Sequence, residues 1–196
     1  EDYVDAVEKL GEQPVDMLEI NVSCPNVKEG GIAFGQVPAS AERITKAVKK
    51  VARQPVIMKL SPNVTDITVM AKAAEAGGAD AISLINTLTG MKIDINRQCF
   101  ALANKTGGLS GPAIKPIAVR MVYQAANAVS IPVIGMGGIA CAEDALEFIL
   151  AGASAVSIGT ANFFNPYAAE ETVQGIEAYM REKKVDRLTD LIGIVK

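Results

Sequence analysis

The sequence predicts an α/β fold built from consecutive βα units around a parallel sheet. Short apolar runs rich in β-branched residues alternate with longer segments of helical period. The last two runs end in Gly-Met-Gly-Gly at 135–138 and Gly-Thr at 159–160, turns of the kind that β/α barrels place after their final strands. Five units in 196 residues fit either an open doubly wound sheet or part of a TIM (β/α)8 barrel. The glycine turns favour the barrel, although glycines there could also serve only to make tight turns.

The predicted elements follow one another without a linker. A helix at 3–11 comes first, as if an earlier strand preceded it. Strands are predicted at 17–23, 55–61, 81–87, 131–135 and 155–159. The helices after them are predicted at 40–52, 64–76, 114–128, 142–151 and 166–182. The segment 90–111 is long for a βα connection, which is typical of a lid or binding loop. We expect a single domain over 1–196 that holds about the last five βα units of a barrel.

Composition excludes several classes of protein. The net charge of −3 gives no basic field for a phosphate backbone, so a nucleic-acid partner is not expected. The longest apolar stretches, such as 131–136, are far shorter than the roughly 20 residues of a membrane-spanning helix. The N-terminal segment is acidic and amphipathic rather than signal-like. We therefore expect a cytoplasmic protein without a membrane partner.

The content of cysteine and histidine narrows the chemistry. The three cysteines, Cys24, Cys99 and Cys141, lack the paired spacing of a zinc site or a disulfide framework, so no metal is expected. The chain has no histidine, and acid/base catalysis near neutral pH must therefore use cysteine, lysine, tyrosine or a perturbed carboxylate. We assign no chemistry to Cys99 or Cys141. Phe163, Phe164 and Tyr167 are expected to be packing residues.

The first strand has one apolar and one polar face. The apolar face carries Leu18, Ile20 and Val22, and the polar face carries Glu19, Asn21 and Ser23. We expect the polar face to line the barrel interior. Cys24 follows at the carboxyl end of the strand, where barrel active sites lie, and its thiol there can act as a base or pack as a small hydrophobe. The flanking Asn21 and Asn26 favour the base, since they suit a planar ligand with amide-like edges, although they could instead cap turns.

The next two strands add polar groups to the same rim. Lys59 shares its strand face with Ile57 and Ser61, so its ammonium is expected to point inward and to need an anionic partner. That partner is either an anionic ligand group or the carboxylate of Glu19. Asn86 and Thr87 place an amide and a hydroxyl at the end of the following strand.

Six sequence blocks together resemble one family. They are NVSCPNVKEGGIAFG at 21–35, VIMKLSPNVTDI at 56–67, INT at 85–87, GGLSGPAIKP at 107–116, IGMGGI at 134–139 and AVSIGTANF at 155–163. The chain resembles the dihydroorotate dehydrogenases over nearly its whole length, specifically the class 1B type, the NAD-linked catalytic subunit. The SCPN block and the KEGGIAFG after it are highly specific, whereas GMGG and GT occur in many phosphate-binding barrels.

The resemblance implies a reaction and a site. Dihydroorotate would be oxidised to orotate in de novo pyrimidine (UMP) biosynthesis. Cys24 would remove the C5 proton while hydride passes from C6 to FMN. The pyrimidine would be held by Asn21, Asn26, Asn86 and Thr87. The FMN would be contacted by Asn21, Lys59, Ile85, Gly111, Gly137, Gly138, Gly159 and Thr160.

The resemblance also implies partners. Electrons would pass from FMN to NAD through an electron-transfer subunit that carries FAD and an iron–sulfur cluster, and the catalytic subunits would form a homodimer. The family barrel has eight strands, so the first three would precede Glu1 and would carry further contacts to substrate and flavin. A barrel without them exposes strand edges, and we expect such a chain to aggregate or to require the missing segment.

Three other functions remain open at this point. A dihydropyrimidine dehydrogenase-like flavoenzyme shares the barrel and the cysteine base, but KEGGIAFG after SCPN disfavours it. The chain could also be a catalytically incomplete binding or assembly fragment, whose function would not change if Cys24 were replaced by serine. A lyase or isomerase barrel that binds a sugar phosphate is supported by GMGG and GT alone.

Overall fold

The computed structural model describes residues 2–22, 28–29, 32–33 and 36–195. Over this part of the chain the strands are β1 (Leu18–Asn21), β2 (Lys28–Glu29), β3 (Ile32–Ala33), β4 (Val56–Lys59), β5 (Ala81–Leu84), β6 (Leu88–Met91), β7 (Ile93–Asp94), β8 (Cys99–Phe100), β9 (Thr106–Leu109), β10 (Val133–Met136) and β11 (Ala155–Ser157). The helices are α1 (Asp2–Leu10), α2 (Pro38–Val51), α3 (Ile67–Ala76), α4 (Lys115–Ala126), α5 (Ala142–Leu150) and α6 (Ala168–Lys183). Each strand and helix predicted from the sequence is present, with bounds that differ by a few residues.

Five strands form one parallel sheet in the order β1-β4-β5-β10-β11. This spatial order is also the chain order, whereas a doubly wound sheet reverses direction at a switch point. Each helix packs against the next along the chain. The arrangement confirms the predicted barrel type of α/β fold with five βα units. The sheet does not close over the described residues, and β1 and β11 are its two edges.

The apolar core lies between the sheet and the helices. Leu18, Ile20 and Val22 are buried there, as the period of two predicts. In β10, a Cβ on Gly135 would lie 2.6 Å from Cδ1 of Phe148, so the absence of a side chain lets α5 approach the strand closely. The opposite face of the sheet carries the polar residues, and Glu19 and Asn21 are exposed on it.

The segment between β5 and α4, expected to be a long loop, contains four short strands. β6 pairs with β9 and β7 with β8, both antiparallel, so the segment is a two-tiered hairpin arm. The arm folds back on the end of β5, where a Cβ on Gly108 would lie 2.3 Å from Oγ1 of Thr87. Only glycine permits this approach between the arm and Thr87.

The packing role expected for three aromatic residues is wrong. Phe163, Phe164 and Tyr167 are 87%, 90% and 66% exposed. They follow β11, an edge of the open sheet, and no described strand covers them. None of the helices in the described residues has the length and apolar character to span a membrane.

Candidate functional site

A cavity of about 260 Å³ opens at the carboxyl edge of the parallel sheet. Nine residues that the sequence analysis assigned to the site line it: Lys59, Ile85, Asn86, Thr87, Gly111, Gly137, Gly138, Gly159 and Thr160. They come from the ends of β4, β5, β10 and β11 and from the end of the hairpin arm. Because parallel strands present their carboxyl ends at one edge, residues distant in sequence meet in one place.

The remaining three predicted residues are placed differently. Asn21 ends β1 beside Lys59 in the sheet register, but it does not line the cavity. Its backbone carbonyl accepts a hydrogen bond of 3.1 Å from the hydroxyl of Tyr3. Cys24 and Asn26 lie outside the described residues. Their expected roles therefore remain predictions from the sequence.

Glycines shape one wall of the cavity. Gly111, Gly137 and Gly138 have φ angles of 89°, 126° and 81°, a region that disfavours other residues. A Cβ on Gly138 would lie 2.8 Å from the carbonyl oxygen of Gly111, so the turn after β10 and the loop before α4 touch at that point. Among the hydrogen bonds of the described residues, none uses the backbone N–H of Gly137 or Gly138. This wall suits an anion that accepts hydrogen bonds from the backbone.

An ion-pair cluster holds this wall in place. The ammonium of Lys115 lies 2.6 Å from Oδ1 of Asp144 and 2.6 Å from Oε1 of Glu147. The other oxygen of Asp144 accepts a 2.9 Å hydrogen bond from the N–H of Ala140. Hydrogen bonds to Asp144 and Glu147 raise the pKa of Lys115 above its ordinary value. Burial alone would raise the pKa of Asp144, but the bonds from Lys115 and Ala140 outweigh it and lower that pKa.

Lys59 presents a half-buried cationic group at the cavity. In the sheet register it lies between Asn21 and Ser83, on the inner face. Among the described residues Lys59 forms no ion pair with Glu19, whose carboxylate accepts a 2.5 Å hydrogen bond from the hydroxyl of Ser83. None of the ion pairs among the described residues includes Lys59. Its ammonium is therefore available to an anionic ligand.

The end of β5 is held between its two neighbours. The N–H of Ile85 donates to the carbonyl of Met136 at 3.0 Å, and the N–H of Asn86 donates to the carbonyl of Leu60 at 3.2 Å. The side-chain oxygen of Asn86 accepts a 2.9 Å bond from the N–H of Thr87. The amide of Asn86 and the hydroxyl of Thr87 thus occupy defined positions at the rim.

Sequence reasoning missed five residues of the cavity: Ser110, Ile114, Met136, Ile139 and Ser157. Ser157 was detectable, since alternation along β11 places it beside Met136 in the register and at the carboxyl end of the sheet. Ser110 offered no such signal, because it belongs to the loop before α4 and its position depends on how the hairpin arm folds back.

Comparisons with known proteins agree with this picture. The family model described as dihydroorotate dehydrogenase matches residues 1–180. The chain is 69% identical over 195 residues to the dihydroorotate dehydrogenase B (NAD(+)) catalytic subunit of Lachnoclostridium phytofermentans, covering 100% of this chain and 65% of that protein. The protein of the same name from Alkaliphilus oremlandii is 62% identical over 192 residues, covering 98% of this chain and 64% of that one. The chain thus spans about 65% of the length of these relatives.

A solved structure supports the fold alone. The crystal structure of a DHODH from Eimeria tenella in complex with ferulenol aligns with a TM-score of 0.81 at 24% sequence identity. The alignment covers 98% of this chain and 57% of that one.

Proposed function

The chain belongs to the dihydroorotate dehydrogenase family, and on that premise we propose that it forms the flavin-binding part of an enzyme that oxidises dihydroorotate to orotate in pyrimidine biosynthesis. The observation that carries the proposal is that nine residues predicted for flavin and substrate line one cavity at the carboxyl edge of the sheet. Polar groups, a lysine and a glycine wall meet there, which is the composition expected of a site for a polar, anionic cofactor.

The cavity fits the phosphate end of FMN. Gly137 and Gly138 offer backbone N–H groups. Gly159 and Thr160, which follow β11, line the same cavity. Lys59 and Ile85 would face the isoalloxazine, where a cation favours negative charge on the ring. When bound, FMN supplies an acceptor for the hydride from C6 of dihydroorotate.

The residues of the chain supply the rest of the chemistry. Cys24, as a thiolate, removes the C5 proton, and the C5–C6 double bond of orotate forms as the C6 hydride leaves. A thiol has a reference pKa of about 8.5, so modest stabilisation by polar neighbours makes it a base near neutral pH. Asn21, Asn26, Asn86 and Thr87 bind the amide-like edges of the pyrimidine. These assignments rest on the sequence motifs, and the position of Asn86 and Thr87 at the rim supports them.

A partner subunit completes the electron path. We propose that electrons pass to NAD through a subunit that carries FAD and an iron–sulfur cluster, that the catalytic subunits pair as a homodimer, and that the assembly is cytoplasmic. The names of the relatives, which specify a catalytic subunit and NAD(+), support the partner subunit and the acceptor. The cofactors of the partner, the homodimer and the location rest on the family resemblance.

Anaerobic reduction of the bound flavin tests the proposal. Dihydroorotate added to the FMN-loaded protein should bleach the visible flavin band, and orotate should be the product. A Cys24→Ser variant that binds FMN and orotate as the wild type does, but bleaches far more slowly, would identify the base. Flavin that binds but is never bleached by dihydroorotate would refute the reaction, and bleaching by dihydrouracil instead would favour a dihydropyrimidine dehydrogenase.

A further inference from the structure

Asn63 links the loops that follow two neighbouring strands. It lies four residues after the end of β4, and its side chain contacts the segment after β5. Its Nδ2 donates to the carbonyl of Thr87 at 3.1 Å, and its Oδ1 accepts from the N–H of Thr89 at 2.9 Å. One side-chain amide therefore binds a carbonyl and an N–H two residues apart.

The two hydrogen bonds of the Asn63 side chain continue the hydrogen bonding between β4 and β5 past the point where the backbone pairing ends. Within the ladder, the N–H of Leu60 donates to Ser83 at 2.8 Å and the N–H of Asn86 donates to Leu60 at 3.2 Å. Pro62 has no N–H, so the backbone after Leu60 cannot continue the pairing. In a parallel ladder, the N–H and C=O of one residue bind a carbonyl and an N–H that lie two residues apart on the neighbouring strand. The side-chain amide of Asn63 supplies the same donor and acceptor.

Asn63 is itself held by Ser61, which lies two residues after the end of β4. Oγ of Ser61, a residue that is 4% exposed, accepts the backbone N–H of Asn63 at 3.2 Å and its Nδ2 at 3.4 Å. The side chain of Asn63 therefore connects the segment after β4 to Thr87 at the rim of the cavity. It does not line the cavity, so it acts on a ligand there only through Thr87 and its neighbours.

Thr87 is consequently fixed from two sides. Asn63 binds its carbonyl, and the backbone of Gly108 lies against its hydroxyl, since a Cβ there would be 2.3 Å from Oγ1. We infer that Asn63 is a positioning residue that sets the polar groups of Asn86 and Thr87 for a pyrimidine substrate. The inference rests on the proposed function, because it takes these two residues as substrate contacts.

The test compares two variants of Asn63 in the FMN-loaded protein. Asn63→Ala removes the side-chain hydrogen bonds to Thr87, Thr89 and Ser61. Asn63→Asp keeps the shape and the acceptor for Thr89 but faces the carbonyl of Thr87 with a second oxygen. Asn127→Ala is the matched control, because its Nδ2 also donates to a carbonyl, that of Tyr123 at 2.8 Å, at the distant end of α4.

Both Asn63 variants should raise KM for dihydroorotate and Kd for orotate about tenfold, while flavin content and kcat stay within about twofold of wild type. The control should leave all four values unchanged. Unchanged KM and Kd in the Asn63 variants would overturn the inference, and so would a parallel loss of flavin and thermal stability in both, which indicates a structural role. A wild-type protein that binds FMN but not orotate would instead refute the proposed function.

Discussion

Nζ of Lys115 lies 2.6 Å from Oδ1 of Asp144, so an ion pair joins the first residue of α4 to the first turn of α5 across the glycine turn at 137–138. The two side chains are only 22% and 16% exposed. Asp144 also accepts a hydrogen bond from the N–H of Ala140. One carboxylate therefore binds both the start of α4 and the segment that follows the glycine turn. The proposed FMN-phosphate wall is therefore held by a pair that does not itself line the cavity.

Asp144→Asn should weaken FMN binding. The amide can still accept from Ala140, but it loses the charge that pairs with Lys115, and the half-buried ammonium loses one of its two partners. We expect the Kd for FMN to rise about tenfold and the free energy of unfolding to fall by about 1–3 kcal/mol. Flavin fluorescence titration and urea unfolding measure the two quantities. Glu182→Gln, which removes an exposed pair with Lys183, should change neither, and an unaltered Kd in Asp144→Asn would contradict the role of the pair.

Asp80 should make stability depend on pH in the acid range. Burial would raise its pKa, but hydrogen bonds from Lys49 and from the N–H of Val56 outweigh that effect and lower it from 3.8. A carboxyl whose pKa is lower in the folded state stabilises the protein above the unfolded value, and this contribution is lost as the pH falls through the folded value. Asp80→Asn should therefore cost stability at pH 6 and much less at pH 2.5. Urea unfolding at both pH values measures this, and an equal cost at both would contradict it.

Gly138→Ala should abolish or strongly weaken FMN binding. The residue has a φ of 81°, and an added Cβ would lie 2.8 Å from the backbone carbonyl of Gly111, which cannot move away as a side chain can. Gly78→Ala is the matched control, because Gly78 has a φ of 92° but its nearest contact would be a side-chain atom of Lys49 at 3.8 Å. Both variants carry backbone strain, which disfavours any residue but glycine. Flavin content equal in the two variants would contradict the proposed wall.

Gly159→Ala separates ligand contact from folding. No atom of the described residues lies within 4 Å of a Cβ built there, so an added methyl group has room in the FMN-free protein. Thermal stability of the FMN-free protein should therefore be unchanged. The methyl group would enter the space assigned to the FMN phosphate, so the Kd for FMN should rise at least tenfold. An unchanged Kd would mean that the phosphate lies elsewhere.

Cys24→Ser should reduce turnover by at least about 100-fold at neutral pH, the size of effect expected for a general base. A serine hydroxyl has a much higher pKa than a thiol, so the lost activity should return in part as the pH is raised. Anaerobic stopped-flow reduction of the flavin measures the rate. Cys141→Ser should retain full activity, since Cys141 is exposed at the N-terminus of α5 and carries no assigned role. Full activity in Cys24→Ser would refute the role of Cys24 as the base.

The fold was predictable because its signals are local. The alternation of Leu18, Ile20 and Val22 with polar residues specifies the buried face of β1, and strand ends can be located from such runs. The convergence of the candidate site residues was predictable because a parallel sheet gathers the ends of its strands at one edge. Lys59, Asn86 and Gly138 therefore converge although they are far apart in sequence.

What the sequence did not reveal depends on contacts between distant segments. The role of Asn63 requires that the loops after β4 and β5 lie side by side, and an asparagine after Pro62 reads equally well as a turn residue. The hairpin arm at 88–109 has few residues in each strand, so its pairing is set by the fold-back of Gly108 onto Thr87 rather than by a periodic pattern. Phe163 is exposed because it lies beside an open edge of the sheet. Its apolar side chain alone would predict burial.

The visible absorption spectrum of the protein, purified at the length its own gene encodes and checked by intact mass, tests the central claim most directly. We expect the absorption bands of bound oxidised flavin, and these bands should remain after FMN is added and the protein is passed through gel filtration. The Gly159→Ala variant should retain less flavin in the same experiment. A protein of that length that binds inorganic phosphate but retains no flavin would contradict it and would favour a phosphate-binding lyase or isomerase barrel.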